Sequence, residues 1–224
     1  MPTYDLLNYF IYMSEGRVFT PVEAEALWEI IRHRRDVRGN RFVERALEPE
    51  VVERLLDAAL HAPSVGFSQP WEFVVVEDRA VREKVRGSFE AANADARSVF
   101  GGRGEEYARL KLEGILEAAV NIAVFYVPAA APVLGQTAME EVGLYSAVCA
   151  VQNMWLMARA LNVGIGWVSI LDPERVRVLL GAPEGRRLVA YLCVGYTDGF
   201  YEQPELELLQ WERRKARETI IRRI

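Results

Sequence analysis

Residues 139–161, MEEVGLYSAVCAVQNMWLMARAL, read as one long helix with apolar residues on almost every side. A helix of that kind has no solvent face and has to be enclosed by other elements of the same core. Gly164 follows as its expected stop. Short apolar strands are then expected at residues 165–171 and 188–194, either side of a helix opened by Asp172 and Pro173. With 224 residues and a hydrophobic content of 51%, the chain is long enough to build one such core.

The preceding chain supplies the covering layers. Thr20, Pro21 and Glu23 make a capping box with proline at the first helical position, so a helix starts there. Leu27, Ile30, Ile31 and Arg34 share one face of it at helical spacing, which would deliver Arg34 toward the interior. A second helix is marked by Pro49 and by Val52, Leu55, Leu56 and Ala59, and must stop near Pro63. A strand is expected at residues 73–76, and Asp78 caps a third helix with Val81, Val85 and Phe89 on one side. Residues 91–104 lose this periodicity and read as a mobile cover. Helix resumes over residues 105–118, before a buried strand at 121–127.

Helices outnumber strands, and the strands are short and scattered among them. The expected fold is α+β, a three-layer sandwich with one sheet covered by helices. It is expected as a single domain over residues 1–224, with extensions at 1–27 and 197–224 that could wrap a partner subunit.

Charge and composition exclude several classes. A formal charge of −5 gives no reason to expect nucleic acid as a partner. Two cysteines and two histidines make a zinc or iron–sulfur site a poor expectation, so no metal is assigned. The apolar run at 118–135 is broken by Asn121, Pro128 and Pro132 and is marginal for a membrane span. The first residues have no basic stretch ahead of their apolar part, unlike a secretory signal. A cytoplasmic protein is expected.

Three stretches can carry chemistry. RHRRDVRGN, residues 32–40, sets Asp36 among arginines; guanidinium groups bind a phosphate monoester through paired hydrogen bonds and keep their charge. A solvated basic helix end is the alternative. APSVGFSQPW, residues 62–71, is either a preformed loop of amide and hydroxyl groups around Ser64 or a rigid turn. In GIGWVSI, residues 164–170, two glycines permit close backbone approach, and Ser169 is the one hydroxyl of an apolar strand.

In order and spacing these stretches, with LKLEGILEA (110–118), LYSAVCAVQNMWL (144–156), LCVGY (192–196) and QPELE (203–207), resemble the nitroreductase-like flavoprotein family. The resemblance covers most of residues 30–207. It implies a mostly antiparallel central sheet, and a homodimer that binds FMN at the subunit interface. Carried over by position, Arg34, Arg35 and Arg38 hold the phosphate and the pyrimidine edge of the ring, with Asp36 and Val37 between them. Ser64 lies against the flavin, and Leu112 beside the ribityl chain or phosphate. Val168 and Ser169 meet the reactive side of the ring, and Arg214 is the late phosphate arginine. The tail reads LLQWERR where the family has a glycine before the tryptophan, which leaves Arg213 as the alternative.

Within the family the RRDVR string is most similar to members that consume their flavin. Those enzymes take reduced FMN and dioxygen to 5,6-dimethylbenzimidazole, the lower ligand of cobalamin, and release erythrose 4-phosphate. Asp36 is then the expected base for the 2′-hydroxyl, with a pKa lowered by its arginines, and Ser169 orients the flavin. A separate flavin reductase would supply reduced FMN. Two other classes fit the same sequence: an NAD(P)H-dependent nitroreductase or flavin reductase, which usually has a serine-like residue at position 36, and a non-catalytic flavin-binding protein.

Overall fold

The computed structural model describes residues 16–224. Contacts divide the chain at Arg32 into two compact units. The first contains most of helix α1 (Pro21–His33). Its capping box forms as expected: Glu23 N–H donates to Thr20 Oγ1 over 3.3 Å, and Thr20 N–H returns to Glu23 Oε2 over 2.8 Å. The helix ends at His33 and buries none of its residues, and Arg34 lies just beyond its end.

The second unit, from His33 onward, holds a four-stranded antiparallel sheet in the order β1-β2-β4-β3. The strands are β1 (Trp71–Val76), β2 (Val120–Tyr126), β3 (Val163–Val168) and β4 (Arg187–Tyr196). Period-two alternation sends successive side chains to opposite faces. Ile122, Val124, Leu192 and Val194 pack on one side with Leu55 and Ala59 of α2 (Pro49–Leu60) and Ala150, Val151 and Met154 of α5 (Val142–Ala160). Ala123, Phe125, Tyr191 and Cys193 pack on the other with Val85 and Phe89 of α3 (Arg79–Val99), Ile115, and Val176 of α6 (Pro173–Leu179). Each fully buried aliphatic side chain contributes about 1.5–3 kcal/mol. The result is the expected three-layer sandwich.

Four expectations are corrected. Helix α3 continues through residues 91–99, its side chains polar and its alanines small, and a short turn of 3₁₀ helix at Gly101–Arg103 follows it. Helix α4 covers only Gly104–Arg109. Residues 110–119 are irregular because Arg82, buried to 6%, caps their carbonyls: it donates to Ile115 O at 2.7 and 2.9 Å and to Ala119 O at 3.2 Å. Helix α5 buries Ala147, Ala150, Met154 and Ala158 but leaves Tyr145 and Val148 49% and 39% exposed. It stops at Asn162, which takes φ 56°, rather than at Gly164, which lies inside β3.

Gly164 and Gly166 are needed for a different reason. The segment 36–37 runs parallel alongside β3, bridged at Asp36 and Ile165, with Val37 N–H on Ile165 O at 3.0 Å. A Cβ on Gly164 would meet Val37 Cγ2 at 3.0 Å, and one on Gly166 would fall 2.1 Å from Val37 O. The arginine-rich stretch is thus an added edge of the sheet, and the glycines admit it.

Candidate functional site

Because segment 36–38 is laid against β3, its side chains are fixed relative to the end of that strand. Asp36 Oδ1 accepts from Trp167 N–H at 3.1 Å, and Oδ2 pairs with the Arg38 guanidinium. Arg38 also donates to Leu112 O and Trp167 O, each at 3.2 Å. One guanidinium therefore ties together Asp36, β3 and the irregular stretch at 110–119. Arg38 side chain is 16% exposed and that of Asp36 31%.

Burial pushes the Asp36 carboxyl above its ordinary value, and the opposing pull of Arg38, of the Trp167 N–H and of Arg34 does not cancel it. The sequence suggests the opposite direction, because it shows the arginines and not the desolvation.

Arg34 lies with its guanidinium over the Trp155 ring at 4.7 Å. Burial lowers its pKa, and Asp36 opposes that shift. Trp155 Nε1–H donates to Arg35 O at 3.2 Å, so this tryptophan of α5 sets both arginines. Arg35 itself faces the C-terminal segment. Its Nε donates to Tyr201 O at 3.0 Å, and its Nη2 to Glu202 O. Burial, first, and then the neighbouring charges of Arg34, Arg214 and Arg159 lower its pKa. Two more arginines hold the same segment: Arg41 pairs with Asp198 at 3.1 Å, and Arg159 lies over Phe200 at 4.2 Å.

Val37 and Val168 are buried, at 4% and 2%, and meet the site through their backbone. Ser169 is exposed, one residue beyond β3 rather than inside it. Ser64 bonds within its own loop, accepting from Gln69 N–H at 3.1 Å. That loop holds Gly66, Phe67 and Gln69 at φ 54°, 53° and 47°, and rests on Ser146 of α5, whose Oγ accepts from Val65 N–H at 3.1 Å. The chain thus joins Asp36, Arg38, Leu112 and Trp167 directly, sets Arg34 over Trp155, and leaves Ser64 bonded within its own preformed loop.

Two site residues carry no sequence assignment. Trp155 reads as core in an apolar helix, and nothing local distinguishes it. Glu205 opens the short helix α7 (Glu205–Leu208); burial raises its pKa, with Arg38 and Arg41 opposing and Asp36 adding to the rise. Its place after Gln203-Pro204 is legible in the sequence, and its burial is not. Among the described residues no cluster of metal-ligating side chains occurs, and no helix is long and apolar enough to cross a membrane.

The model of the nitroreductase family matches residues 31–196. A 5,6-dimethylbenzimidazole synthase of Rhodospirillum rubrum is 43% identical over 213 residues, covering 94% of this chain and 100% of that protein. Among solved structures, oxidized iodotyrosine deiodinase bound to FMN and 3-iodo-L-tyrosine superposes with a TM-score of 0.69 at 25% identity, covering 88% of this chain and 97% of that one. A BluB-like flavoprotein from Clostridium difficile 630 gives 0.68 at 20% identity, covering 88% and 98%.

Proposed function

Because the chain belongs to the nitroreductase family, we propose that it is a 5,6-dimethylbenzimidazole synthase, an oxidoreductase that takes reduced FMN and dioxygen to 5,6-dimethylbenzimidazole and erythrose 4-phosphate. The observation that carries this reading is the acid at the centre of the site: Asp36, held between the Trp167 N–H and Arg38. A conventional nitroreductase needs no base at that point.

The donor set fits FMN. Arg34 and Arg214 are fixed positive charges suited to a phosphate monoester. Arg35 adds to the field while its hydrogen bonds serve Tyr201 and Glu202. Arg38, through Leu112 O and Trp167 O, fixes the walls against which the ribityl chain and ring would lie. Ser169 offers an exposed hydroxyl next to Val168 and would orient the ring. Ser64 stands apart from the Asp36 cluster within one chain, which fits a homodimer with the flavin at the subunit interface.

Reduced FMN supplies the electrons for dioxygen and is itself the carbon source of the product. The chain's part is to place a base and exclude water. Each Asp36 oxygen has one protein partner, which leaves lone pairs free to accept the proton of the 2′-hydroxyl as the C1′–C2′ bond breaks. Burial makes that carboxylate more basic than one in water, which suits the task better than the lowered pKa expected from its arginines. The α3–α4 region serves as the cover that keeps bulk water from the reacting flavin. A separate cytoplasmic flavin reductase delivers the reduced flavin.

Aerobic incubation of the pure protein with chemically reduced FMN, followed by product analysis, tests the assignment. Dimethylbenzimidazole should appear without NADH or NADPH. Rapid NAD(P)H oxidation without that product would identify a conventional nitroreductase or flavin reductase instead.

A further inference from the structure

The C-terminal stretch ahead of Arg213 and Arg214 is pinned at two levels. Its backbone closes α7 with a Schellman turn: Gln210 takes φ 58°, Gln210 N–H donates to Glu207 O at 3.1 Å, and Trp211 N–H to Leu206 O at 2.9 Å. This turn fixes the direction in which Trp211 leaves the helix. The Trp211 ring then meets the cover edge-on at Phe100, with centroids 5.2 Å apart, and tilted at Tyr107, at 6.2 Å. Phe100 and Tyr107 stack at 4.7 Å, and Tyr107 O–H donates to Asn93 Oδ1 at 2.6 Å, so the rings are tied back to α3. Arg103 closes the arrangement from both sides of the indole, with its guanidinium 3.8 Å from the ring centroid and Nη2 donating to Trp211 O at 2.9 Å.

Trp211 is part-buried, whereas every residue after it is exposed. What lies three residues further on is Arg214, which the proposed function assigns to the phosphate. A guanidinium at the end of a loose tail would sample many positions, whereas paired hydrogen bonds to a phosphate demand one. We propose that Trp211 and Arg103 are positioning residues that hold the tail so that Arg214 meets the phosphate of the flavin ligand. The proposal rests on the reading of that ligand as FMN. It makes the cover and the phosphate contact one unit, so that the cover is seated only when the tail is.

FMN and riboflavin differ only in the phosphate, so the ratio of their affinities isolates the proposed role. Flavin-fluorescence titration of the full-length protein gives both constants. Trp211→Ala and Arg214→Ala should each reduce the preference for FMN over riboflavin by about tenfold, the loss of one well-placed charged hydrogen bond. Riboflavin affinity should stay at the wild-type value, Trp211→Phe should retain most of the preference, and the double variant should lose no more than either single one. Arg103→Gln, at a side chain 45% exposed, tests the same contact without deleting a ring and should act in the same direction. Equal losses for both flavins, or an unchanged ratio in Trp211→Ala and Arg103→Gln, would overturn the positioning role. A wild-type protein with no affinity for either flavin would instead remove the FMN reading, and this proposal with it.

Discussion

The carbonyl oxygen of Val37 lies so close to Gly166 that a methyl group there would sit 2.1 Å from it. The contact is backbone against backbone, so no side chain can rotate away. It is also what places Asp36 beside Trp167, since the two residues are neighbours of this pair on the bridged segments.

Gly166→Ala should therefore push residues 36–38 off β3. We expect a stability loss of about 1–3 kcal/mol from overpacking, measured by chemical denaturation, together with loss of product formation. Gly87→Ala, where an added Cβ meets nothing within 4 Å, is the control and should leave activity unchanged.

Asp36 sets a pH dependence. Its folded pKa is raised, so the protonated acid dominates to a higher pH than for a free carboxylate. Product formation at saturating reduced FMN should rise with pH through that pKa, on a limb lying above the ordinary carboxylate range. The sign for stability is opposite: the contribution of this group is present below its unfolded pKa and is lost as pH rises through the folded one. Arg38→Met removes the largest opposing charge and should move the activity limb to still higher pH. A limb at or below the ordinary aspartate value would contradict the role of burial.

Gln210 occupies a left-handed position in which glycine is unstrained. Gln210→Gly should stabilise the protein by about 1 kcal/mol, read as a shift in the denaturation midpoint, with the FMN preference unchanged.

Much of the fold was legible because its signals are local. Thr20 and Glu23, Pro49, Asp78, and Asp172 with Pro173 each mark a helix start by chemistry within one turn, and all four starts are found. The errors fall where a distant group decides. Residues 110–119 are amphipathic enough for a helix, but Arg82 from α3 takes their carbonyls. Residues 91–99 stay helical although they bury little, since alanine needs no partner to favour a helix. At the site, RRDVR pointed to the charge and the acid. The sequence did not show that Arg35 serves the turn at 201–202, that Trp155 lies under Arg34, or that desolvation outweighs the arginines at Asp36, because each depends on contacts more than a hundred residues apart or on burial itself.

Trp155 should matter to the flavin through the two arginines it sets, Arg34 over its ring and Arg35 through its carbonyl. Trp155→Leu keeps an apolar side chain in α5 but removes the ring beneath the guanidinium, an interaction worth about 0.5–2 kcal/mol. FMN affinity should fall several-fold in fluorescence titration. An unchanged affinity would mean that both arginines are held without the ring.

The account depends most on Asp36 as the group that takes the proton when the flavin breaks. The direct measurement compares wild type and Asp36→Asn, loaded with equal amounts of reduced FMN and exposed to dioxygen, with dimethylbenzimidazole quantified per flavin. Asparagine keeps the shape and can still accept from Trp167 N–H, but it cannot serve as the base. We expect FMN to bind and the rate of product formation to fall by about 100-fold or more. Product at the wild-type rate from Asp36→Asn would contradict the account.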